Sequence, residues 1–142
     1  MDDNKKITGG CLCEDLRNEG KGEPSWVVHC HCRSCQRASG AAFLTYVGFA
    51  IEDLVWSEGK LRIYESSSDG ERGFCSRCGS TLTFARPLRK EIGVFAGTVD
   101  DPQSITPTEH MFFDHHFAWL DMRDESPRYG RHPPGNEDRD QE

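Results

Sequence analysis

Residues 28–43 carry the sequence VHCHCRSCQRASGAAF, in which three cysteines follow a C-x-C-x-x-C spacing. This three-cysteine group consists of Cys30, Cys32 and Cys35. Two cysteine pairs flank the stretch and together make a four-cysteine group, which consists of Cys11, Cys13, Cys75 and Cys78. A zinc ion with four thiolates is usually structural, whereas three protein ligands and an open position are usual for a catalytic zinc. The sequence therefore predicts one structural zinc and a second metal with one coordination position left over.

The length and composition indicate one small domain that metal ions help to hold together. The chain has 142 residues, of which 35% are hydrophobic. This length fits a single core, and the modest hydrophobic content favours metal crosslinks as a supplement to it. We expect the domain to span residues 7–130, after a flexible N-terminus over residues 1–6. Charged residues, proline and glycine dominate residues 131–142, which predicts a disordered acidic tail.

The distribution of apolar residues predicts neither a membrane span nor a secretory signal. No apolar run approaches the roughly 20 residues that a transmembrane helix needs, and the first residues, MDDNKK, contain no apolar segment. We therefore expect a cytoplasmic protein. In that reducing compartment clustered cysteines bind metal more often than they form disulfides. The odd number of cysteines, seven, also argues against a complete disulfide framework.

The charge balance argues against a nucleic acid partner. Seventeen lysines and arginines stand against 24 aspartates and glutamates, which gives a formal net charge of -7. A surface that binds phosphates needs clustered basic residues, and the sequence contains no basic run. We expect no nucleic acid and no membrane among the partners, and the oligomeric state stays open.

The pattern of short apolar runs between turns predicts a mainly β fold with little helix. The expected strands cover residues 11–13, 25–30, 41–51, 61–65, 81–84 and 92–98. One short helix is expected over residues 33–39, ended by Gly40. Residues 14–24 are expected to form a loop. Residues 100–123 are expected to form irregular structure packed by Phe112, Phe113, Phe117 and Trp119.

The three-cysteine group admits several interpretations. In the first, a histidine completes an ordinary structural site with four ligands. His29 and His31 would point away from the sulfurs if side chains alternate along the strand. Three histidines that are distant in sequence remain as candidates. These are His110, His115 and His116. Alternatively the fourth position stays open for water or a substrate thiol. A third interpretation, a thioredoxin-like redox pair, requires a βαβ context that this sequence lacks.

The ligand chemistry limits what an open site of this kind can do. Three thiolates neutralise much of the positive charge of the metal, so the metal is a weaker Lewis acid than a zinc held by three histidines. Such a metal would hold an incoming thiolate that remains nucleophilic. This favours the addition of a thiol to an aldehyde over hydrolysis.

The stretch over residues 30–41 resembles the signature of the glutathione-dependent formaldehyde-activating (GFA) family, also called the CENP-V/GFA domain. Further similar segments are residues 10–13, 74–80, 95–98, 110–112, 119–120 and 127–129. The resemblance covers about residues 7–130 and all seven cysteines. It implies an Mss4-like fold of short antiparallel strands stapled by zinc.

The resemblance also implies an activity and a division of labour between the two cysteine groups. The activity is that of a zinc-dependent carbon–sulfur lyase, which joins glutathione or a similar small thiol to formaldehyde or another aldehyde. The three-cysteine group would hold the catalytic zinc and the four-cysteine group the structural one. Since glutathione competes for the catalytic zinc in that family, we expect this second site to be partly occupied.

Arg33 and Arg37 are candidates for contacts with a glutathione carboxylate, since arginine suits bidentate recognition of carboxylates. His110 matches the late family motif, and we expect it to act in packing or hydrogen bonding. The alternative to an enzyme is a non-catalytic zinc-binding module that acts through protein contacts.

Overall fold

A computed structural model describes residues 4–136, and these residues form a mainly β fold with one α-helix. The strands are β1 (Lys6–Gly10), β2 (Arg17–Lys21), β3 (Trp26–Cys30), β4 (Leu44–Ala50), β5 (Leu54–Glu58), β6 (Arg62–Ser67), β7 (Gly70–Phe74), β8 (Thr81–Arg86), β9 (Glu91–Phe95) and β10 (Glu109–Met111). The helix α1 is Arg33–Ser39. Short 3-10 turns are Ile51–Asp53, Pro87–Arg89, Ala96–Thr98, Pro102–Ser104 and Phe113–His115.

The strands form two sheets. Seven strands make the larger sheet in the order β10-β3-β4-β9-β8-β7-β6, and three make the smaller one in the order β1-β2-β5. The sheet pairings of the described chain are antiparallel except that β10 runs parallel to β3. The predicted fold class, mainly β with little helix, is confirmed.

The main core lies between the two sheets. Ile7 of the small sheet packs with Val47 and Val94 of the large sheet, and all three are buried. Asp100 follows the 3-10 turn after β9 and ties this segment to the small sheet, because its carboxylate accepts hydrogen bonds from the Thr8 hydroxyl at 2.7 Å and from the Arg17 guanidinium. The two cysteine groups lie in two further buried clusters of the fold, separate from this core.

The helix α1 begins and ends where the sequence predicts. The Cys32 sulfur occupies the N-cap position and accepts a hydrogen bond from the Cys35 amide. Gly40 ends the helix in a left-handed conformation with φ of 74°, which glycine adopts without steric cost. One member of the three-cysteine group therefore caps the helix and another lies within it.

Two local predictions in the first part of the chain are wrong. Residues 14–24 contain β2, where Gly20 makes room for the Phe49 ring: a Cβ there would lie 2.4 Å from that ring. The glycine that resembled a turn signal is thus a packing position in a strand. Residues 11–13 form a turn, since Glu14 takes a positive φ of 66° and its amide donates to the Cys11 carbonyl.

The predicted packing of the late aromatic residues holds only in part. Phe112 is buried, but Trp119 is 76% exposed and contacts Phe117 by ring stacking. Trp119 therefore belongs to the surface, because residues 116–127 run outside the strands that form the core.

The predicted boundaries of the domain fall close to the ends of the described chain. At the N-terminal end the Lys5 carbonyl accepts a hydrogen bond from the Gly22 amide. At the other end the Phe112 amide donates to the Arg131 carbonyl, and the His132 ring contacts Phe112. Contacts therefore continue past the predicted boundary at residue 130. The remainder of both predicted termini, residues 1–3 and 137–142, lies outside the described residues. Across residues 4–136, no helix is long and apolar enough to span a membrane.

Candidate metal centres

The four-cysteine group brings its sulfurs together as a tetrahedral metal requires. The Sγ atoms of Cys11 and Cys13 are 3.5 Å apart and those of Cys13 and Cys75 are 3.8 Å apart. All four ligand atoms, including that of Cys78, lie within 4.8 Å of one another. Zinc–sulfur bonds of about 2.3 Å in a tetrahedron separate the sulfurs by about 3.8 Å. The group therefore fits a zinc ion.

Backbone amides and one serine hold the two loops of this group in place. The Leu16 amide donates to the Cys11 sulfur at 3.3 Å, and the Cys78 amide donates to the Cys75 sulfur at 3.4 Å. The Ser80 hydroxyl joins the loops, because it accepts from the Leu12 amide at 3.0 Å and lies 3.2 Å from the Cys78 sulfur. Sequence reasoning missed Ser80, although its place two residues after the C-x-x-C pair was a usable signal.

The acidities of these thiols also favour a metal. Hydrogen bonding with Ser80 is the main cause that lowers the pKa of Cys78, to about 5. A backbone hydrogen bond from Asp15 lowers the pKa of Cys13, but burial and the neighbouring thiols outweigh it and raise that pKa to about 12. Burial raises the pKa of Cys11, but hydrogen bonds with the Leu16 amide and the neighbouring thiols outweigh it and lower that pKa. Two of these thiols therefore ionise readily, while their charge opposes the ionisation of Cys13. A divalent cation would offset the repulsion between the thiolates, so the donor set fits a metal held by thiolates.

The three-cysteine group lies where β3 meets α1. Cys30 ends β3, Cys32 caps the helix and Cys35 follows in its first turn. The Cys35 and Cys30 sulfurs are 3.6 Å apart, and all three ligand atoms lie within 4.8 Å. The three side chains are between 2% and 4% exposed. The spacing again fits zinc–sulfur geometry.

Tyr46 and Arg72 surround the Cys35 sulfur. The Tyr46 hydroxyl is 2.8 Å from it, and the Arg72 Nη2 atom is 4.0 Å away. Hydrogen bonds with Cys30 and Cys32 hold the pKa of Cys35 well below its usual value, and Arg72 and Tyr46 lower it further. Cys35 is therefore the thiolate of this group that forms most easily. Sequence reasoning missed Tyr46 and Arg72, because sheet pairing from β4 through β9 and β8 to β7 carries them to the site.

The histidines predicted as candidates for a fourth ligand lie apart from the sulfurs. His29 and His31 alternate with the cysteines and point to the other face, as expected: the His29 Nδ1 atom is 2.8 Å from the Thr45 hydroxyl, and the His31 ring stacks on Phe43. His115 is exposed. Within residues 4–136, no histidine, aspartate or glutamate atom joins the three sulfurs.

His110 belongs to a buried hydrogen-bond chain behind the three-cysteine group. Its Nδ1 atom is 2.9 Å from the His31 Nε2 atom, and its Nε2 atom is 3.1 Å from the Asp124 carboxylate. Arg128 donates to the same carboxylate at 2.8 Å. Burial raises the pKa of Asp124, but hydrogen bonds from His110 and Arg128 outweigh it and hold that pKa well below its usual value. This chain fits the hydrogen-bonding role expected for His110.

A partly open cavity of about 150 Å³ lies against the three-cysteine group. The Cys30 and Cys35 side chains form part of its wall, together with aromatic and aliphatic residues. Late residues, including Pro133 and Asn136, close another side. The cavity gives a small molecule a place beside the sulfurs.

Arg33 and Arg37 lie on the outer face of α1. Both are exposed, and Arg33 donates to the Gln36 side chain at 2.7 Å. Neither residue lines the cavity beside Cys30 and Cys35. A role in binding glutathione remains a prediction for these two arginines.

Comparison with known proteins identifies the family of the chain. The family model for the glutathione-dependent formaldehyde-activating enzyme, GFA, matches residues 6–115. The chain belongs to this family. A relative of the GFA chain, an uncharacterized lyase of Schizosaccharomyces pombe, is 32% identical to it over 77 residues, 54% of this chain and 56% of the relative. The GFA chain thus matches little more than half of the length of that curated relative.

A solved structure supports the fold of the GFA chain. The crystal structure of a Rhodobacter sphaeroides protein superposes with a TM-score of 0.54 and covers 86% of this chain and 99% of the other. At 21% sequence identity this similarity concerns the fold alone. The matched family is named for a formaldehyde-activating enzyme, and the Schizosaccharomyces pombe relative is named as a lyase.

Proposed function

We propose that this chain is a zinc-dependent carbon–sulfur lyase that adds glutathione, or a similar small thiol, to formaldehyde or another aldehyde. The observation that carries the proposal is the difference between the two metal centres. Four sulfurs surround one centre, whereas three sulfurs and no fourth ligand from the described chain make up the other, beside a cavity. Catalytic zinc sites commonly keep such an open position.

The proposed reaction needs no oxidant or reductant. A bond forms between the thiol sulfur and the aldehyde carbon as the carbonyl π bond opens, and the thiol proton ends on the oxygen. When bound, zinc would supply the positive charge that keeps a substrate thiol ionised near neutral pH. The chain's own part is to fix the positions of the reactants, since proximity contributes much of the acceleration of a reaction between two molecules.

The residues around Cys35 would keep the three sulfurs in one arrangement during this reaction. Tyr46 of β4 and Arg72 of β7 both lie beside the Cys35 sulfur, and neither residue is more than 7% exposed. They favour the thiolate form of Cys35, and the buried setting limits the entry of water. The Cys30, Cys32 and Cys35 side chains are thus the proposed catalytic residues, acting as the metal ligands.

The proposal extends to the thiol partner and the compartment. Arg33 and Arg37 are exposed on α1 and remain available to carboxylates of a bound glutathione. A reducing compartment such as the cytoplasm suits this function, because all seven cysteines are free thiols and a metal site needs them reduced.

The test measures the formation of S-hydroxymethylglutathione by NMR exchange spectroscopy, because the reaction also proceeds without an enzyme. The wild-type chain loaded with zinc should accelerate the exchange between glutathione and its adduct. The Cys32→Ser variant should show only the uncatalysed rate while it remains folded. Equal rates with wild type, with Cys32→Ser and without protein would refute the proposal.

The second candidate is a non-catalytic zinc-binding module that acts through protein contacts. Its supporting observation is burial: the Cys30 and Cys35 side chains are 3% and 2% exposed, similar to Cys11 and Cys75 at 5% and 2%. Under this alternative, glutathione would leave the environment of the metal at the three-cysteine group unchanged, and no aldehyde would react faster with the protein present.

A further inference from the structure

The cavity beside the three-cysteine group is larger and more apolar than formaldehyde requires. Six of the residues that line it have large apolar or aromatic side chains: Trp26, Val28, Tyr46, Phe84, Met111 and Phe112. An apolar cavity of about 150 Å³ accommodates a benzene molecule. Formaldehyde has two heavy atoms and would leave most of this space without contacts.

The aromatic wall is built into the sheet. Trp26 lies over two glycines of neighbouring strands: a Cβ at Gly48 would be 2.1 Å from its ring, and one at Gly93 would be 3.0 Å from it. The ring also packs edge-on against Tyr46, with 6.3 Å between the centroids. The Tyr46 ring in turn packs beside the Phe84 ring, with 6.2 Å between the ring centroids. The wall is therefore formed before any ligand enters, which reduces the entropy lost on binding.

The charged groups of the cavity do not favour the carboxylates of glutathione. They are one arginine, Arg86, and two acidic residues, Glu91 and Glu109. Glu109 is half-buried, and burial raises its pKa. A cavity with two acidic groups, one basic group and an apolar wall suits an uncharged apolar group better than a tripeptide that carries two carboxylates and an ammonium group.

We propose that the aldehyde substrate carries an apolar substituent about the size of an aromatic ring, which binds in this cavity with the carbonyl carbon toward Cys30 and Cys35. The inference rests on the proposed thiol–aldehyde reaction and names its aldehyde class. The chemistry is unchanged: the thiol sulfur bonds to the carbonyl carbon, the π bond opens, and the thiol proton moves to the oxygen. The product is a hemithioacetal of an aromatic or branched aliphatic aldehyde.

The first experiment measures binding without turnover. The probe, para-fluorobenzyl alcohol, has the shape of an aromatic aldehyde but no carbonyl group, and fluorine NMR follows its binding. The wild-type chain should bind it with a Kd of about 1 mM or tighter. Met111→Trp, which fills the cavity, should weaken binding by about tenfold. The control Leu88→Trp places the same ring at a position that is 82% exposed and should leave the affinity unchanged.

Two results of this experiment would overturn the inference. One is the absence of saturable binding to wild type, which needs no assumption about the folding of a variant. The other is equal binding by wild type, Met111→Trp and Leu88→Trp, because this result would show that the probe binds outside the cavity. Circular dichroism of each variant checks that its fold is retained.

The second experiment compares formaldehyde with benzaldehyde and isovaleraldehyde as partners of glutathione. The kcat/KM for the two larger aldehydes should exceed that for formaldehyde by about tenfold or more, and Met111→Trp should reduce this ratio. Turnover of formaldehyde with no gain for the larger aldehydes would overturn the inference and leave the proposed function intact. A preference that follows the thiol, such as benzyl mercaptan over glutathione with formaldehyde, would overturn the assignment to the aldehyde. No turnover of any aldehyde would overturn the proposed function, and the inference with it.

Discussion

Serine substitutions at Cys78 and at Cys32 should have very different effects on stability, because the two cysteine groups close loops of different length. A metal held by the four-cysteine group would link Cys13 to Cys75 across 61 intervening residues. For a covalent crosslink, a closed loop of this length removes about 4 kcal/mol of entropy from the unfolded chain. A domain of this kind has a total stability of about 5 to 15 kcal/mol. Losing the link through Cys78→Ser should therefore lower Tm by about 10 °C or more.

Cys32→Ser should have a much smaller effect on folding. The three-cysteine group spans only six residues, and α1 and the pairing of β3 with β4 already hold it together. Serine is also a favoured N-cap residue, so its hydroxyl can accept the hydrogen bond that the Cys35 amide now donates to sulfur. We expect a loss of about 1 kcal/mol or less, together with the loss of metal from this group alone.

The assay combines thermal unfolding with metal analysis of the purified variants. Cys32→Ala serves as the control for the helix cap, since it removes the same sulfur and leaves no acceptor. It should be about 1 kcal/mol less stable than Cys32→Ser. If Cys32→Ser lowers Tm as much as Cys78→Ser does, the three-cysteine group is a structural site and the distinction between the two centres fails.

Three further changes test how the surrounding structure supports these centres. Asp100→Asn should lower the free energy of unfolding, measured with urea, by about 1 kcal/mol, because it breaks a partly exposed ion pair with Arg17. Since Arg17 lowers the pKa of Asp100, the wild-type carboxylate stays charged, and this deficit should stay constant down to about pH 5.5. A deficit that shrinks over that range would contradict the assignment. Gly48→Ala should lower the free energy of unfolding by about 2 kcal/mol in the same measurement, since its Cβ would clash with the Trp26 ring. An unchanged stability would show that the Trp26 ring does not pack against Gly48. Asp124→Asn should cost about 1 to 2 kcal/mol with unchanged metal content by elemental analysis, since its contacts lie behind the cysteines; loss of metal would contradict this.

The two cysteine clusters and their division into four and three are predictable from the sequence, because clusters that can bind a metal depend on short spacings that persist in any fold. The C-x-x-C of Cys75 and Cys78 and the C-x-C-x-x-C at Cys30 predict both clusters. The alternation of the strand also places His29 and His31 correctly on the other face. Local chemistry decides these features, so local patterns predict them.

The rest of the site depends on contacts between distant parts of the chain. Tyr46 and Arg72 reach Cys35 through four paired strands, and no motif marks either residue. Strand β2 resembles a loop because Gly20 serves the packing of Phe49. The cavity wall near Pro133 comes from a segment whose composition predicts disorder. In each case tertiary packing overrides the local preference.

The most direct test of the proposed function is the fourth ligand at the three-cysteine group. Cadmium NMR of the protein with both centres loaded reports each metal as a separate signal. We expect two metals per chain, one signal typical of four sulfurs, and a second signal that moves toward the four-sulfur range as glutathione is added. A second signal that does not respond to glutathione, or that shows a histidine of the chain as its fourth ligand, would contradict the proposed function.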